Sequence, residues 1–265
     1  MTPATIVRPG NPRSLLALTW LACLFVSRPS NAQVNVEPLR REIATAGAAL
    51  HLAGSISSYL GNTQGVTLGG VALIGGRLGR HMGYANGSAD YAHLGGDTQA
   101  AKAFGHIRHN YQILPFMWSE LFAQMEADRF RRISLRELFG TGPRFRIAES
   151  SELNCYFGTA YMLEYTRLSA TAGVVDRSDI AHRSSNYVAL TWTPDQRTTL
   201  SETFYVQPRF DAFSDAYLLS VMSLEFKISA RISSRIDTTI RYDSRHAPEV
   251  KAHDLEIRNL IDFRL

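Results

Sequence analysis

The sequence predicts an all-β chain: an antiparallel transmembrane β-barrel of about 12 strands, exported behind a cleaved signal peptide. Three observations predict it. Apolar and polar residues alternate with a period of two along strand-sized stretches, as a sheet with unlike faces requires. The later links between those stretches alternate long and short. The chain also opens with the parts of an export signal.

That signal occupies residues 1–32. Arg8 and Arg13 precede the apolar run "LLALTWLACLFV" (Leu15 to Val26), and "SRPSNAQ" follows. Ser30 and Ala32 satisfy the small-residue rule at −3 and −1, which places the cut before Gln33. The run is shorter than the ~20 residues of a spanning helix. Trp20 stands where a lipoprotein motif wants Leu, so Cys23 is not read as a lipid attachment site. The expected division is signal peptide 1–32, a short periplasmic N-terminal segment 33–46, and the barrel 47–265.

Three of the 28 basic residues fall in 1–32, so 25 remain against 24 acidic ones. A nearly neutral exported chain gives no electrostatic footprint for nucleic acid. Cys155 is the one cysteine left, so no internal disulfide is expected. His106 and His109 lack partners at a metal-ligand spacing, and no metal or cofactor is expected.

The first five strands, 47–60, 65–76, 79–93, 99–112 and 117–127, are diluted by Gly, Ala and Ser. "HLGGDTQ" marks the turn between the third and fourth, and "ATAGAALHLAG" is read as strand despite its helical look. The sixth, 132–147, sets Ile133, Leu135, Phe139, Phe145 and Ile147 against Arg132, Arg136, Arg144 and Arg146; Glu137 interrupts the apolar side. Strands 151–167 and 197–208 are bounded by the turn signals "ESS" and "PDQ". Between them, 182–193 places Val188, Leu190 and Trp192 together. In 216–228, Leu218, Met222, Leu224 and Phe226 oppose Glu225 and Lys227. In 231–243, Ile232, Ile236, Ile240 and Tyr242 oppose Arg231, Arg235, Asp237 and Arg241. In 253–265, Leu255, Ile257, Asn259, Ile261, Phe263 and Leu265 oppose Glu256, Arg258, Asp262 and Arg264, with Leu260 the exception.

The links 168–181, 209–215 and 244–252 follow odd strands and are long; "ESS", "PDQ" and "SA" follow even strands and are short. Outer-membrane barrels have short periplasmic turns and longer outer loops, so both termini are expected in the periplasm. Charges alternating along whole strands argue for a polar lumen, and strands of about 10–13 residues suit a tilted crossing. Open edges are not tolerated in lipid, so the last strand is expected to pair with the first. Ile261, Phe263 and Leu265 resemble the terminal signal read by the outer-membrane assembly machinery. That machinery and outer-membrane lipids are the expected partners.

"GNT" at Gly61–Thr63, "EADRFRRISLRELFGTG" at Glu126–Gly142, "YFGTAYMLEY" at Tyr156–Tyr165, "RSSNY" at Arg183–Tyr187 and "YDSRHAPE…HDLEIRNLIDFRL" at Tyr242–Leu265 resemble the salt-induced outer membrane protein family. It is a Gram-negative domain of unknown function, and the likeness spans roughly residues 45–265. It implies an outer-membrane barrel linked to salt or envelope stress, and brings no activity, ligand or catalytic residues.

The lumen is expected to carry Arg132, Arg136, Arg144, Arg146, Arg231, Arg235 and Arg241, facing Glu120, Glu126, Glu164, Glu225 and Asp237. Such a lumen is either a narrow ion-selective or solute-binding pore or a plug of mutual salt bridges. Small barrels fill with their own side chains, which favours the plug. The alternative is a lipid hydrolase with a Ser/His site at the outer rim, drawn from Ser244 and His246 beside Asp243 and Glu249, or from His182, Ser184 and Ser185. A loop interrupted by Pro248 holds no such geometry in register, so no enzyme is expected. Trp118, Trp192, Tyr161, Tyr165 and Tyr205 are read as interfacial girdle residues.

Overall fold

The computed structural model of the chain describes residues 37–59, 65–170, 177–229, 232–246 and 250–263. One helix, α1 (Glu37–Ala46), precedes twelve strands: β1 (Ala48–Tyr59), β2 (Gly65–Leu78), β3 (His81–Leu94), β4 (Asp97–Leu114), β5 (Met117–Asp128), β6 (Ile133–Glu149), β7 (Leu153–Leu168), β8 (Arg177–Trp192), β9 (Thr198–Pro208), β10 (Ala216–Lys227), β11 (Ile232–Asp243) and β12 (His253–Phe263). They form a single antiparallel sheet in sequence order, each strand bonded to the next. The chain therefore adopts the all-β, up-and-down architecture that the period-two pattern predicts.

The sheet turns its faces the opposite way from a soluble barrel. Its convex side exposes Leu52, Ile107, Phe139, Val188, Phe204, Ile240 and Leu255. Its concave side buries Arg108, Glu120, Arg136, Arg144, Glu164, Arg183, Ser223 and Thr239. Register carries the same division across strands: Leu224 stands opposite Leu200 and Ile236 on the outer side, and Glu225 opposite Arg235 on the inner side. The curl brings distant strands together across the concavity. Lys102 on β4 lies 4.0 Å from Glu256 on β12, and the Arg136 guanidinium on β6 sits 4.5 Å over the Tyr217 ring on β10.

Two elements differ from the sequence expectation. Strand β8 begins at Arg177 rather than 182, because the polar "RSD" stretch continues the ladder, with Arg177 opposite Leu168. Alternation puts Ile180 outside and Ala181 inside. The second difference is α1, a helix within the stretch 33–46 that the sequence predicts only as a short N-terminal segment. Leu39 and Ile43 are four apart and share a helix face, while Glu37 suits the positive end of the helix dipole. The helix stops at Gly47, whose φ of 84° turns the chain and lets its N–H donate to the Ile43 carbonyl at 2.9 Å. β1 starts at the next residue.

The parity of the links holds for the later strands but not the earlier ones. β3 and β4 are joined by Gly95 and Gly96 alone, at φ 62° and 89°, the backbone of a two-residue hairpin. Among the described residues no helix is long and apolar enough to cross a membrane; strands are not addressed by that statement.

Candidate functional site: a helix seated in a charged lumen

α1 lies inside the concavity, across the end where β1 begins. Ile43 is wholly buried against Tyr84 on β3 and Gly75 on β2, with Leu39 and Ala49 completing the apolar contact. At the other end of the helix the contacts are ionic. Glu37 accepts from both Arg144 nitrogens, Nη1 to Oε1 at 3.2 Å and Nη2 to Oε2 at 3.1 Å, a two-pronged pairing with β6. Arg40 donates to Asn110 Oδ1 on β4 at 2.9 Å and to Glu120 Oε1 on β5 at 3.2 Å. The helix thus spans from the β2–β3 wall to the β6 wall.

The wall beneath it is already networked. Asn110 Nδ2 donates to Glu120 Oε1 at 2.6 Å, and Tyr187 OH on β8 donates to Glu120 Oε2 at 2.5 Å. Arg108 reaches the same carboxylate at 3.5 Å and lies 4.9 Å over the Phe122 ring. Arg144 also donates to Tyr187 OH at 3.0 Å and sits 4.0 Å over Tyr156. Burial alone would raise the pKa of Glu37, but the charges of Arg144 and Arg40 outweigh it and hold the carboxyl below its ordinary value. Burial likewise opposes the charge on Arg40, yet Tyr84, Glu37 and Glu120 raise its pKa well above the usual guanidinium value.

Glycines make this packing possible. A Cβ on Gly158 would lie 2.2 Å from the Tyr187 ring, and one on Gly140 would lie 2.3 Å from the Phe122 ring. Tyr187 and Phe122 can lean across the neighbouring strand only because nothing projects there.

A second cluster fills the lumen toward the opposite end. Glu164 accepts from Arg136 at 3.0 Å and from Arg183 Nε at 2.8 Å. Arg183 donates further to Asp215 Oδ1 at 3.0 Å and to the carbonyls of Gln207 and Asp215. Glu126 pairs with Arg131 at 2.7 Å and with Arg136 at 3.8 Å. Outside the strands, Arg209 grips Asp211 in its loop at 2.9 and 3.0 Å, and that bonding keeps the exposed Asp211 carboxyl below its ordinary pKa.

Of the residues expected in the lumen, Arg136, Arg144, Glu120, Glu126 and Glu164 are drawn into these clusters. Arg241 pairs with Glu256 at 3.7 Å, Arg235 with Asp237 at 3.2 Å, and Glu225 stands opposite Arg235. Asp237 also accepts from Ser223 at 2.7 Å. Arg132 and Arg146 are displaced from mid-lumen. Arg132 sits in the β5–β6 turn at φ 59° and donates to the Ser169 carbonyl at 2.6 Å. Arg146 is at the rim, pairing with Glu149 and donating to the Pro115 carbonyl at 2.8 Å. Arg231 and Leu265 lie outside the described residues; Ile261 and Phe263 belong to β12, but their side chains lie outside the description.

The sequence reading missed Glu37, Arg40, Arg108, Arg183 and Asp215. For the first two a signal existed in the Leu39–Ile43 spacing. It also misplaced two aromatics. Tyr205 is buried inside with Tyr187, Ala189, Tyr217, Leu219 and Val221, an apolar patch on the inner face of β8–β10. Trp118 alternates with Glu120 and meets the inward Tyr156. Trp192 and Tyr161 do face outward.

Of the hydrolase candidates, Glu249 lies outside the described residues, and the serines have other partners. Ser244 Oγ accepts from the Ala216 backbone N–H at 2.9 Å. His182 Nδ1 meets Tyr161 OH at 2.5 Å, while Ser184 Oγ accepts from Asn186 at 2.9 Å, and no hydrogen bond joins that serine to that histidine. His106 is buried between Phe104 and Phe122, and His109 faces out beside His81, with 3.1 Å between ring nitrogens. Among the described residues no group of three or more His, Cys, Asp or Glu could hold a metal.

An inside-polar, outside-apolar antiparallel sheet of twelve meandering strands, curled around a helix, defines an all-β protein of the up-and-down barrel type; the expected pairing of the last strand with the first is not formed among the described residues. Residues 53–260 match the family described as "Protein of unknown function, DUF481", and the chain belongs to that family. Among solved structures it is similar to the NanC porin in its rhombohedral crystal form, at 11% identity and a TM-score of 0.48, with 82% of this chain and 99% of that one covered. No curated protein matches it.

Proposed function

We propose that the protein is an outer-membrane β-barrel whose lumen is a narrow passage occluded by α1 and by buried ion pairs, acting in the envelope without catalytic activity. One observation carries this reading: α1 is fastened at two places four strands apart, by Ile43 at Gly75 on β2 and by Glu37 at Arg144 on β6. A segment held that way blocks the end it crosses. The exposed apolar convex face supports a lipid setting, since such a belt around a polar interior is what a spanning barrel needs. A link to salt or envelope stress belongs to the same proposal and is checked by growth of a deletion strain in high salt.

Single-channel recording in planar bilayers tests the occlusion. The wild type is expected to conduct little, and a variant lacking residues 37–46 to show open steps. Free conduction by the wild type would sink the occluded reading. Ester hydrolysis by the purified protein would sink the non-enzymatic one.

A further inference from the structure

We propose that Arg144, with Tyr156 and Tyr187, forms a carboxylate-binding site in the lumen wall, which Glu37 fills as a tethered ligand and which takes a small carboxylate solute when α1 withdraws. The inference rests on α1 being the occluding element of the proposed pore. Ion flow is not part of it.

The site is built by the wall alone. Arg144, Gly158 and Tyr187 stand in one row across β6, β7 and β8, Arg144 opposite Gly158 and Gly158 opposite Tyr187. The bare Gly158 lets the Tyr187 ring cross β7, where a Cβ would meet it at 2.2 Å. Its hydroxyl then accepts from Arg144 Nη1 at 3.0 Å, while the Tyr156 ring lies 4.0 Å below the guanidinium. A hydroxyl and a ring face fix the plane of the fork and supply no negative charge.

The charge comes from Glu37, whose two oxygens meet the two Arg144 nitrogens at 3.2 and 3.1 Å. That is the two-pronged pairing by which arginine recognises a carboxylate. When the helix leaves, Glu37 and Arg40 leave together. Arg144, 3% exposed while the helix is seated, then has no carboxylate of its own. Glu120 stays engaged with Asn110 at 2.6 Å and Arg108 at 3.5 Å. A guanidinium held in a concave wall with no carboxylate partner favours capture of an anion. The neighbouring Glu120 limits the charge that can be accepted, which selects a singly charged carboxylate over a phosphate dianion.

Propionate, the Glu side chain cut free, is the probe, and propionamide its neutral counterpart. Both, and inorganic phosphate as the dianion, are titrated by NMR into the full chain in detergent micelles. A tethered competitor weakens apparent affinity for a free ligand, so Glu37→Gln is expected to bind propionate on the order of tenfold more tightly than wild type. Propionamide should not bind. Arg144→Lys in the Glu37→Gln background should lose the binding, with the unboiled gel mobility showing an intact barrel. Tyr187→Phe, which keeps the ring and removes the orienting hydroxyl, should weaken it several-fold. No gain in Glu37→Gln, equal binding of propionamide or phosphate, or binding that survives both wall substitutions would overturn the proposal. Free conduction by the wild type would overturn the occlusion instead, and micelle binding would still decide the site.

Discussion

Ile43 occupies the space that a side chain on Gly75 would need: a Cβ built there lies 2.3 Å from Ile43 Cδ1 and 2.8 Å from the Tyr84 Cβ. The apolar anchor of α1 therefore depends on a glycine in the opposing wall. Gly75→Val should push the helix off its seat, since overpacking a closed contact costs roughly 1–3 kcal/mol. A Leu39→Cys reporter in a Cys155→Ser background would read this as faster thiol labelling. Ile43→Ala should restore part of the protection, as it removes the nearest clashing atom and leaves the one with Tyr84. Unchanged labelling in Gly75→Val would mean that α1 is not anchored at β2.

The ionic anchor should show itself in pH. The folded-state pKa of Glu37 is depressed, because Arg144 and Arg40 overcome the effect of burial. A depressed acid contributes stability that is fully present above its unfolded value and is lost as pH falls through the folded one. Docking should therefore persist at neutral pH and through the ordinary carboxylate range, and fail only in stronger acid. The groups facing this carboxylate are Arg144 on β6, Arg40 on its own helix, and Glu120 on β5. The same thiol reporter, with pH-corrected labelling rates, checks the window. Glu37→Gln should label faster at neutral pH and lose the acid transition. An identical transition in that variant would assign it to Glu120 instead.

Period-two alternation made the strands legible from β6 onward, where Ile240, Arg241 and Tyr242 alternate without ambiguity. A curled sheet of this kind has one wet and one apolar face, so every strand repeats the same message. Two things escaped. The inner patch of Tyr187, Tyr205, Leu219 and Val221 is apolar on both faces of its strands, and periodicity cannot show which face is inside. α1 escaped because three turns of helix carry only the Leu39–Ile43 pair as a signal. Its partners lie far along the chain, with Glu37 pairing 107 residues away. The arginines of the lumen were legible as a class; which carboxylate each one takes depends on curvature that local pattern does not contain.

Glu164 is the shared acceptor of Arg136 and Arg183, so Glu164→Gln leaves two buried guanidinium groups competing for what remains. Breaking a buried pair by removing one member costs roughly 3–5 kcal/mol. Arg183 retains Asp215 at 3.0 Å and Arg136 retains Glu126 at 3.8 Å, which puts the expected loss near the lower end. Urea titration of the barrel in liposomes measures it. Arg183→Gln in the same chain should not add its full single-variant cost, because the two residues share one interaction. Strict additivity would show that the 2.8 Å contact carries no coupling.

The division of faces can be tested at two adjacent residues of β11. Ile240 is 48% exposed on the convex side, and Thr239 is 1% exposed on the concave side. In a bilayer, Ile240→Arg should cost about 2–4 kcal/mol near the midplane, where a cation meets hydrocarbon. Thr239 stands opposite Glu256 in a filled lumen, so arginine has no room there, and its placement on the polar face does not make that substitution mild. The informative change at Thr239 is isosteric. Among the described residues its hydroxyl has no hydrogen-bond partner, so Thr239→Val removes an unsatisfied buried polar atom and should be close to neutral or slightly stabilising. Folding titrations into vesicles of matched thickness measure both. Ile240→Arg tolerated as well as Thr239→Val would mean that the convex side does not face lipid, and the membrane-spanning assignment would fail with it.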